Sequence, residues 1–328
     1  MLIMRTILLS LLLVLSMQCA ANPYDNPDTL FVARDGTGQF RNISEAIEVC
    51  RAFMEYHKVI FVKRGVYKEK LVVPSWLTHI EICGEDATTT IITYDDHANV
   101  HIPVPYAATS SQPKTIPMGT FRTYTLKVEG SDITLKNITV ENNAARLGQA
   151  VALHTEGDRL QFFGCRFLGH QDTVYTGVGG TRLYFKDCYI EGTTDFIFGP
   201  STVWFEDCEI HSKADSYITA ASTPADVAYG YVFNHCLLTA DEGITQVYLG
   251  RPWRPYAYTL FMNCVLGDHI VPAGWDNWRN PENEKTARYM EYNNSGPGAS
   301  TRERVSWSRQ LTQKEAAGIT LQHVLGWM

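Results

Sequence analysis

From Leu30 onward the chain runs in short apolar stretches, several of them alternating with polar residues and broken by polar or glycine turns. Leu30-Phe-Val-Ala33, Val59-Ile-Phe-Val62, Ile80-Glu-Ile82 and Thr90-Ile-Ile92 open the series. Period-two alternation in β-branched and aromatic residues predicts strands. Further on the stretches repeat. Leu135-Lys-Asn137-Ile-Thr-Val, Phe163-Gly-Cys165-Arg-Phe-Leu, Lys186-Asp-Cys188-Tyr-Ile-Glu, Glu206-Asp-Cys208-Glu-Ile-His, Asn234-His-Cys236-Leu-Leu-Thr and Met262-Asn-Cys264-Val-Leu-Gly align, with separations of 28, 23, 20, 28 and 28 at the Asn/Cys position. These spacings are too irregular for a propeller, and no helical pattern lies between the lines. They fit an all-β parallel β-helix, whose turns absorb insertions from coil to coil.

Short helices are expected at the ends. Ser44 is the expected cap of a helix with Ala46, Ile47 and Cys50 on its inner face, closing one end of the stack. From about residue 300 the pattern changes, and Thr312-Gln-Lys-Glu315 reads as a capping box that opens a short helix in a tail packed on the stack. Between about 93 and 122 the alternation lapses in a segment carrying Pro103, Pro105, Pro113 and Pro117, long enough to form a rim or lid.

Composition narrows the class. A chain of 328 residues with 45% hydrophobic and 19% charged residues is globular, and a net charge of -7 without a basic block excludes nucleic acid as a partner. Arg5, the apolar run Ile7 to Leu15 and the small residues up to Ala21 make 1–21 a signal peptide, leaving 22–328 as a single catalytic β-helix domain. A lipoprotein signal ending at Cys19 is disfavoured by Gln18, where a small residue is expected. The expectation is export, secreted or periplasmic, without stable membrane association, as a monomer. The cysteines of the repeat form an internal ladder with Asn137 as its first rung, so the sequon Asn137-Ile-Thr139 should face inward and escape modification. Zinc would need tighter clusters such as C-x2-C, and His97 and His101 lack a third ligand, so no metal or other cofactor is expected.

The candidate chemistry lies in two nearly superimposable segments, Cys165-Arg-Phe-Leu-Gly169-His-Gln-Asp172-Thr-Val-Tyr175 and Cys188-Tyr-Ile-Glu-Gly192-Thr-Thr-Asp195-Phe-Ile-Phe198. In successive coils Asp172 and Asp195 would stand about one strand spacing, ~4.8 Å, apart. Carboxylates that close resist ionising together, which separates a proton donor from an anion. Asp215 also lies seven residues after a ladder cysteine, so position alone does not single out two of the three. Gln149 and Gln171 could donate to an oxyanion, Arg251 could hold a carboxylate ionised, and Trp253 could stack on a sugar ring.

Gly65-x-Tyr67-x-Glu69, Gln149-Ala-Val-Ala-Leu153, Gly169-His-Gln171-Asp172-Thr173, Asp195-Phe-Ile-Phe-Gly199 and Leu249-Gly-Arg-Pro-Trp253 occur in this order. Together they resemble the pectin methylesterase family over nearly the whole mature chain. The resemblance implies a right-handed parallel β-helix and hydrolysis of the methyl esters of homogalacturonan. By motif it implies Asp195 as nucleophile, Asp172 as general acid/base, Gln149 and Gln171 as oxyanion donors and Arg251 as the partner of Asp195. Trp253 and Tyr175 would contact sugar, with Tyr256 and Trp278 as further wall candidates, and Glu69 would be structural. The long 93–122 segment, with no inhibitory pro-domain of the plant type in view, resembles bacterial members. A glycosidase on the same scaffold and a non-catalytic polysaccharide-binding β-helix are the alternatives.

Overall fold

The computed structural model describes residues 28–53, 57–104 and 114–328. The expected signal peptide therefore lies outside the described residues. Among those described, no helix is long and apolar enough to cross a membrane. The strands form three long parallel sheets of eleven, eight and seven strands, each drawing successive members from successive coils. One coil is Leu160–Phe163, Arg166–Leu168 and Val174–Thr176, and the next is Arg182–Lys186, Tyr189–Gly192 and Ile197–Gly199. Leu160 pairs with Leu183, Arg166 with Tyr189 and Val174 with Ile197, so each strand lies on its counterpart one coil away. This is a parallel β-helix.

Inward-facing residues stack in files through the core. Phe162, Phe185, Phe205, Phe233 and Phe261 form one file, with successive ring centroids 4.3, 4.9, 4.3 and 4.3 Å apart and interplanar angles of 17°, 24°, 4° and 7°. Cys165, Cys188, Cys208, Cys236 and Cys264 form another, all buried free thiols. Small side chains suit that file because it sits at the corner between the first and second sheets, where the chain turns sharply.

The corner also corrects one reading. Lys136 pairs with Phe163 and Thr139 with Arg166, an offset of 27 residues, so Ile138 and not Asn137 heads the cysteine file. Asn137 belongs one place earlier, with Gly164, Asp187, Asp207, His235 and Asn263. All six have positive φ, between 49° and 58°. The corner requires the left-handed conformation, which Gly, Asn and Asp adopt most readily. Asn137 is exposed there, so burial does not shield its sequon.

Short helices pack against the first coils and on the flank of the stack. The helix Ile43–Glu48 buries Ile43, Ala46 and Ile47. Its N-cap is Asn42 rather than Ser44, with the Glu45 carboxylate accepting from the Asn42 backbone amide. Glu69 accepts from the amides of Ile43 and Ser44 and from the Ser44 hydroxyl at 2.8–3.0 Å, which satisfies donors a helix start leaves open. At the other terminus Thr312 and Glu315 form a capping box before the helix Gln313–Ala316. Val324 and Leu325 of the helix Leu321–Leu325 pack with Tyr184, Trp204 and Tyr258 on the outer face of the eleven-stranded sheet. The irregular segment holds an antiparallel hairpin, His101–Val104 with Lys114–Pro117, and a 3-10 turn, Thr120–Arg122.

Phe205 is fully buried in the middle of its file. Phe205→Ala should remove about 3–5 kcal/mol of stability, because a stacked file cannot close over the missing ring. A denaturant midpoint unchanged from the parent chain would show that the file contributes little.

Candidate active site

Asp172 and Asp195 lie side by side in register. Val174 pairs with Ile197, an offset of 23 residues that also relates the two aspartates. The Asp172 amide donates to the Thr194 carbonyl at 3.1 Å and the Asp195 amide to the Tyr217 carbonyl at 2.8 Å. Both aspartates are left-handed, with φ of 67° and 50°. The glycine three residues before each has a steric reason. A Cβ on Gly192 would fall 2.2 Å from Cβ of Phe196, and one on Gly169 would fall 2.7 Å from Oγ1 of Thr173. The chain doubles back over the glycine and swings the aspartate to the outside of the coil.

The third carboxylate separates from the pair here. Ile197 pairs with Thr219, so the position beside Asp195 in the next coil is Tyr217. Asp215 is exposed and accepts from the amides of Thr245 and Gln246, both at 2.8 Å. It pins a turn of the following coil.

Asp195 is 5% exposed and bound bidentately by Arg251, with Nε to Oδ1 at 2.9 Å and Nη2 to Oδ2 at 2.6 Å. Arg251 comes from further along the stack. Its amide donates to the Thr219 carbonyl at 2.9 Å, and its side chain reaches back to Asp195. Ala220 also lines the cleft. The guanidinium is held between the Tyr217 and Trp278 rings, 3.9 and 3.8 Å from their centroids. Gly250 is obligatory, since a Cβ there would sit 2.0 Å from Oγ1 of Thr219.

The two carboxyls are therefore unlike. Burial and the neighbouring Asp195 charge push Asp172 well above the usual carboxylate range, and the more distant Arg251 offsets this only in part. Burial also raises Asp195, and the Arg251 hydrogen bonds and charge offset only part of that rise, to which the Asp276 charge adds. The ionised form thus belongs to Asp195 and the shared proton to Asp172.

The cleft above them encloses about 260 Å³. Gln149, Gln171, Arg251 and Trp253 line it with both aspartates, as do Thr120, Phe121, Phe198, Ala220 and Trp278. Among the described residues no group hydrogen-bonds the side-chain amide of Gln149 or Gln171, so both are available to a ligand. Tyr175 supports the cleft from beside it, its ring 4.8 Å from those of Phe121 and Phe198 and its hydroxyl donating to the Gly177 carbonyl. Tyr256 is not among the lining residues. It is exposed in a left-handed turn, and its carbonyl accepts from Arg288.

Phe198 could have been found from sequence, because it closes the second segment as Tyr175 closes the first. Thr120, Phe121, Tyr217 and Ala220 belong to none of the quoted motifs. Among the described residues, Glu206, Asp207 and His235 are the group spaced to hold a metal ion. Asp207 already pairs with Lys186 at 2.8 Å, and Glu206 accepts from Trp204 and Asn234. None of these residues lines the cleft.

Removing the Arg251 cation should leave Asp195 buried without its partner. Arg251→Leu is expected to cost about 3–5 kcal/mol at neutral pH. Its Asp195 would have a folded-state pKa further above the unfolded value. Relative stability should then recover as pH falls through that pKa and the carboxyl is protonated, and be lost as pH rises. Denaturant midpoints at about pH 4.5 and about pH 7.5 check this. A deficit equal at both would mean that the lost interaction is packing rather than charge.

Comparison with known proteins agrees over nearly the whole chain. A profile of the Pectinesterase family matches residues 29–326. Pectinesterase 31 of Arabidopsis thaliana is 39% identical over 287 residues, covering 87% of this chain and 88% of that protein. A probable pectinesterase/pectinesterase inhibitor of Brassica napus is 36% identical over 314 residues, and the match spans about half of it (51%). The structure of a pectin methylesterase from carrot superimposes with a TM-score of 0.81 at 32% identity, covering 91% of this chain and 94% of that one. A pectin methylesterase in complex with a hexasaccharide superimposes with a TM-score of 0.77 at 28% identity, covering 91% and 97%. On its fold, its cleft and these matches, the chain belongs to the pectinesterase family.

Proposed function

We propose that the chain hydrolyses the C6 methyl esters of homogalacturonan, releasing methanol, with Asp195 as nucleophile and Asp172 as general acid/base. The family membership supports the reaction. The observation that carries the roles is the asymmetry of the pair: Asp195 is gripped by Arg251, whereas Asp172 is buried beside it with its pKa driven high.

The Asp195 carboxylate attacks the ester carbonyl, and the carbonyl π electrons move to oxygen. Gln149 and Gln171 donate to that oxyanion. As it collapses, the C–O bond to the methoxy group breaks and Asp172 gives its proton to the departing methanol. This leaves an acyl-enzyme anhydride on Asp195 and an ionised Asp172. Asp172 then takes a proton from water, whose oxygen attacks the substrate acyl carbon, and Asp195 departs as carboxylate. Both groups are restored with one ester hydrolysed. Trp253 and Phe198 offer aromatic surface to the sugar rings, and Tyr175, expected from the motif to contact sugar, backs them through Phe198.

The remaining particulars belong to the same reading. Residues 1–21 direct export, and 22–328 act as one catalytic domain, monomeric and without stable membrane association. The bacterial-like subgroup rests on the 93–122 segment alone, since the named relatives and the carrot structure come from plants.

Incubation with methylated pectin should release methanol and acidify the medium without new chain ends. New reducing ends or unsaturated products would instead identify a polymer-cleaving enzyme. Asp195→Asn should lower turnover by about 10⁴-fold or more while the protein stays folded. In the parent chain kcat/KM should fall on the acid side as Asp195 takes a proton and on the alkaline side as Asp172 loses one. Asp172→Asn should cost about 10²- to 10⁴-fold and abolish the alkaline limb. An alkaline limb that survives in this variant would assign it to another group.

A further inference from the structure

The two aspartate-bearing turns are held from behind by a residue outside the cleft lining. We propose that Lys213 is a positioning residue that fixes the Asp172 and Asp195 turns relative to one another; this rests on the roles proposed above for the two aspartates. Lys213 follows the strand Glu209–Ser212, one coil beyond Asp195 and two beyond Asp172. Its ammonium donates to the Gly169 carbonyl at 3.1 Å and to Oε1 of Glu191 at 2.7 Å. Its backbone amide donates to the Gly192 carbonyl at 2.8 Å. Gly169 and Gly192 are the glycines three residues before the two aspartates, so one residue grips both turns at equivalent points.

Further contacts extend the clamp. Glu191 is also held by the Tyr189 hydroxyl at 3.1 Å, and the Thr173 hydroxyl, next to Asp172, lies 2.9 Å from the Glu191 carbonyl. Arg146, in the loop that leads to Gln149, donates to the Lys213 carbonyl at 2.9 Å. The Lys213–Glu191 pair is mostly shielded, its side chains 19% and 18% exposed. Such a pair is less screened than a surface ion pair.

A pocket lies behind the first turn. A cavity of about 170 Å³ is bordered by Gly169, His170, Glu191 and Lys213. Without the ammonium the Gly169 turn has room to move into it, taking Gln171 and Asp172 with it. A shift of the order of 1 Å at reacting groups can cost about 10²-fold in rate. Asp195 has Arg251 as an independent anchor, so the main consequence falls on its alignment with Asp172.

The test is steady-state methanol release by Lys213→Met, Lys213→Arg, Glu191→Gln and the Lys213→Met/Glu191→Gln double variant. Lys136→Met serves as control, because it breaks a Lys–Glu pair with Glu81 (2.8 Å) on the eleven-stranded sheet, away from the cleft lining. Lys213→Met should lower kcat about 10- to 100-fold with KM within about threefold. Lys213→Arg should recover most of the loss, the double variant should be no worse than Lys213→Met, and Lys136→Met should retain parental kcat. Parental kcat in Lys213→Met, additive losses in the double variant, or a loss that Arg does not rescue would overturn the proposal. If Lys213→Met does not fold, Lys213→Gln, which keeps a donor and removes the charge, is judged by the same kcat and KM criteria. Asp195→Asn measured alongside separates the two readings: turnover surviving in it removes the nucleophile assignment, whereas the Lys213 results bear only on the clamp.

Discussion

Parallel pairing between successive coils forces every residue to share its surroundings with its counterparts one coil before and one coil after. Strands pair about 4.8 Å apart. Inside the stack this constraint is favourable. Like residues make continuous files, and flat rings such as Phe205 and Phe233 lie at 4.3 Å and 4°. Outside the stack the same constraint turns against the fold wherever the repeated residue is charged. Asp172 and Asp195 occupy one file, and two adjacent buried carboxyls cannot both ionise at low cost.

The molecule resolves that conflict by making the repeat unequal. Only Asp195 receives the planar fork of Arg251, whose guanidinium lies against the Tyr217 and Trp278 rings. Among the described residues Asp172 receives no comparable cation, and burial keeps its proton. The separation of an anion from an acid therefore depends on one long side chain arriving from a later coil. Both aspartates take the left-handed φ, glycine precedes each where a Cβ would clash, and the Lys213 contacts and the coil-to-coil amide bonds join the two turns.

Much of this was legible in the chain because a solenoid writes its architecture as a repeat. The cysteine file, the recurrence of short strands and the matched Cys-to-Asp spacing all follow from residues meeting their own counterparts. The misreading of Asn137 has the same origin. Asn and Asp recur one place before the cysteines because the corner needs positive φ, and alignment on the Asn/Cys position merged two adjacent files. Asp215 shows the opposite limit. It has the spacing of the pair, but the turn before Tyr217 is longer, and two residues of slippage take Asp215 out of the file and into the capping of a turn.

The sequence by itself determined the β-helix, its files and the motifs on which Asp172, Asp195, Gln149, Gln171 and Arg251 are carried, since each is a local pattern or a repeat of one. Only the tertiary structure decided which of three equally spaced carboxylates form the pair, that Arg251 grips Asp195, that Phe121 and Ala220 help line the cleft while Tyr256 does not, and that Lys213 ties the two turns from behind. Those outcomes depend on how many residues each turn inserts and how far a side chain reaches across coils. Such distances run through the stack rather than along the chain, and no local pattern encodes them.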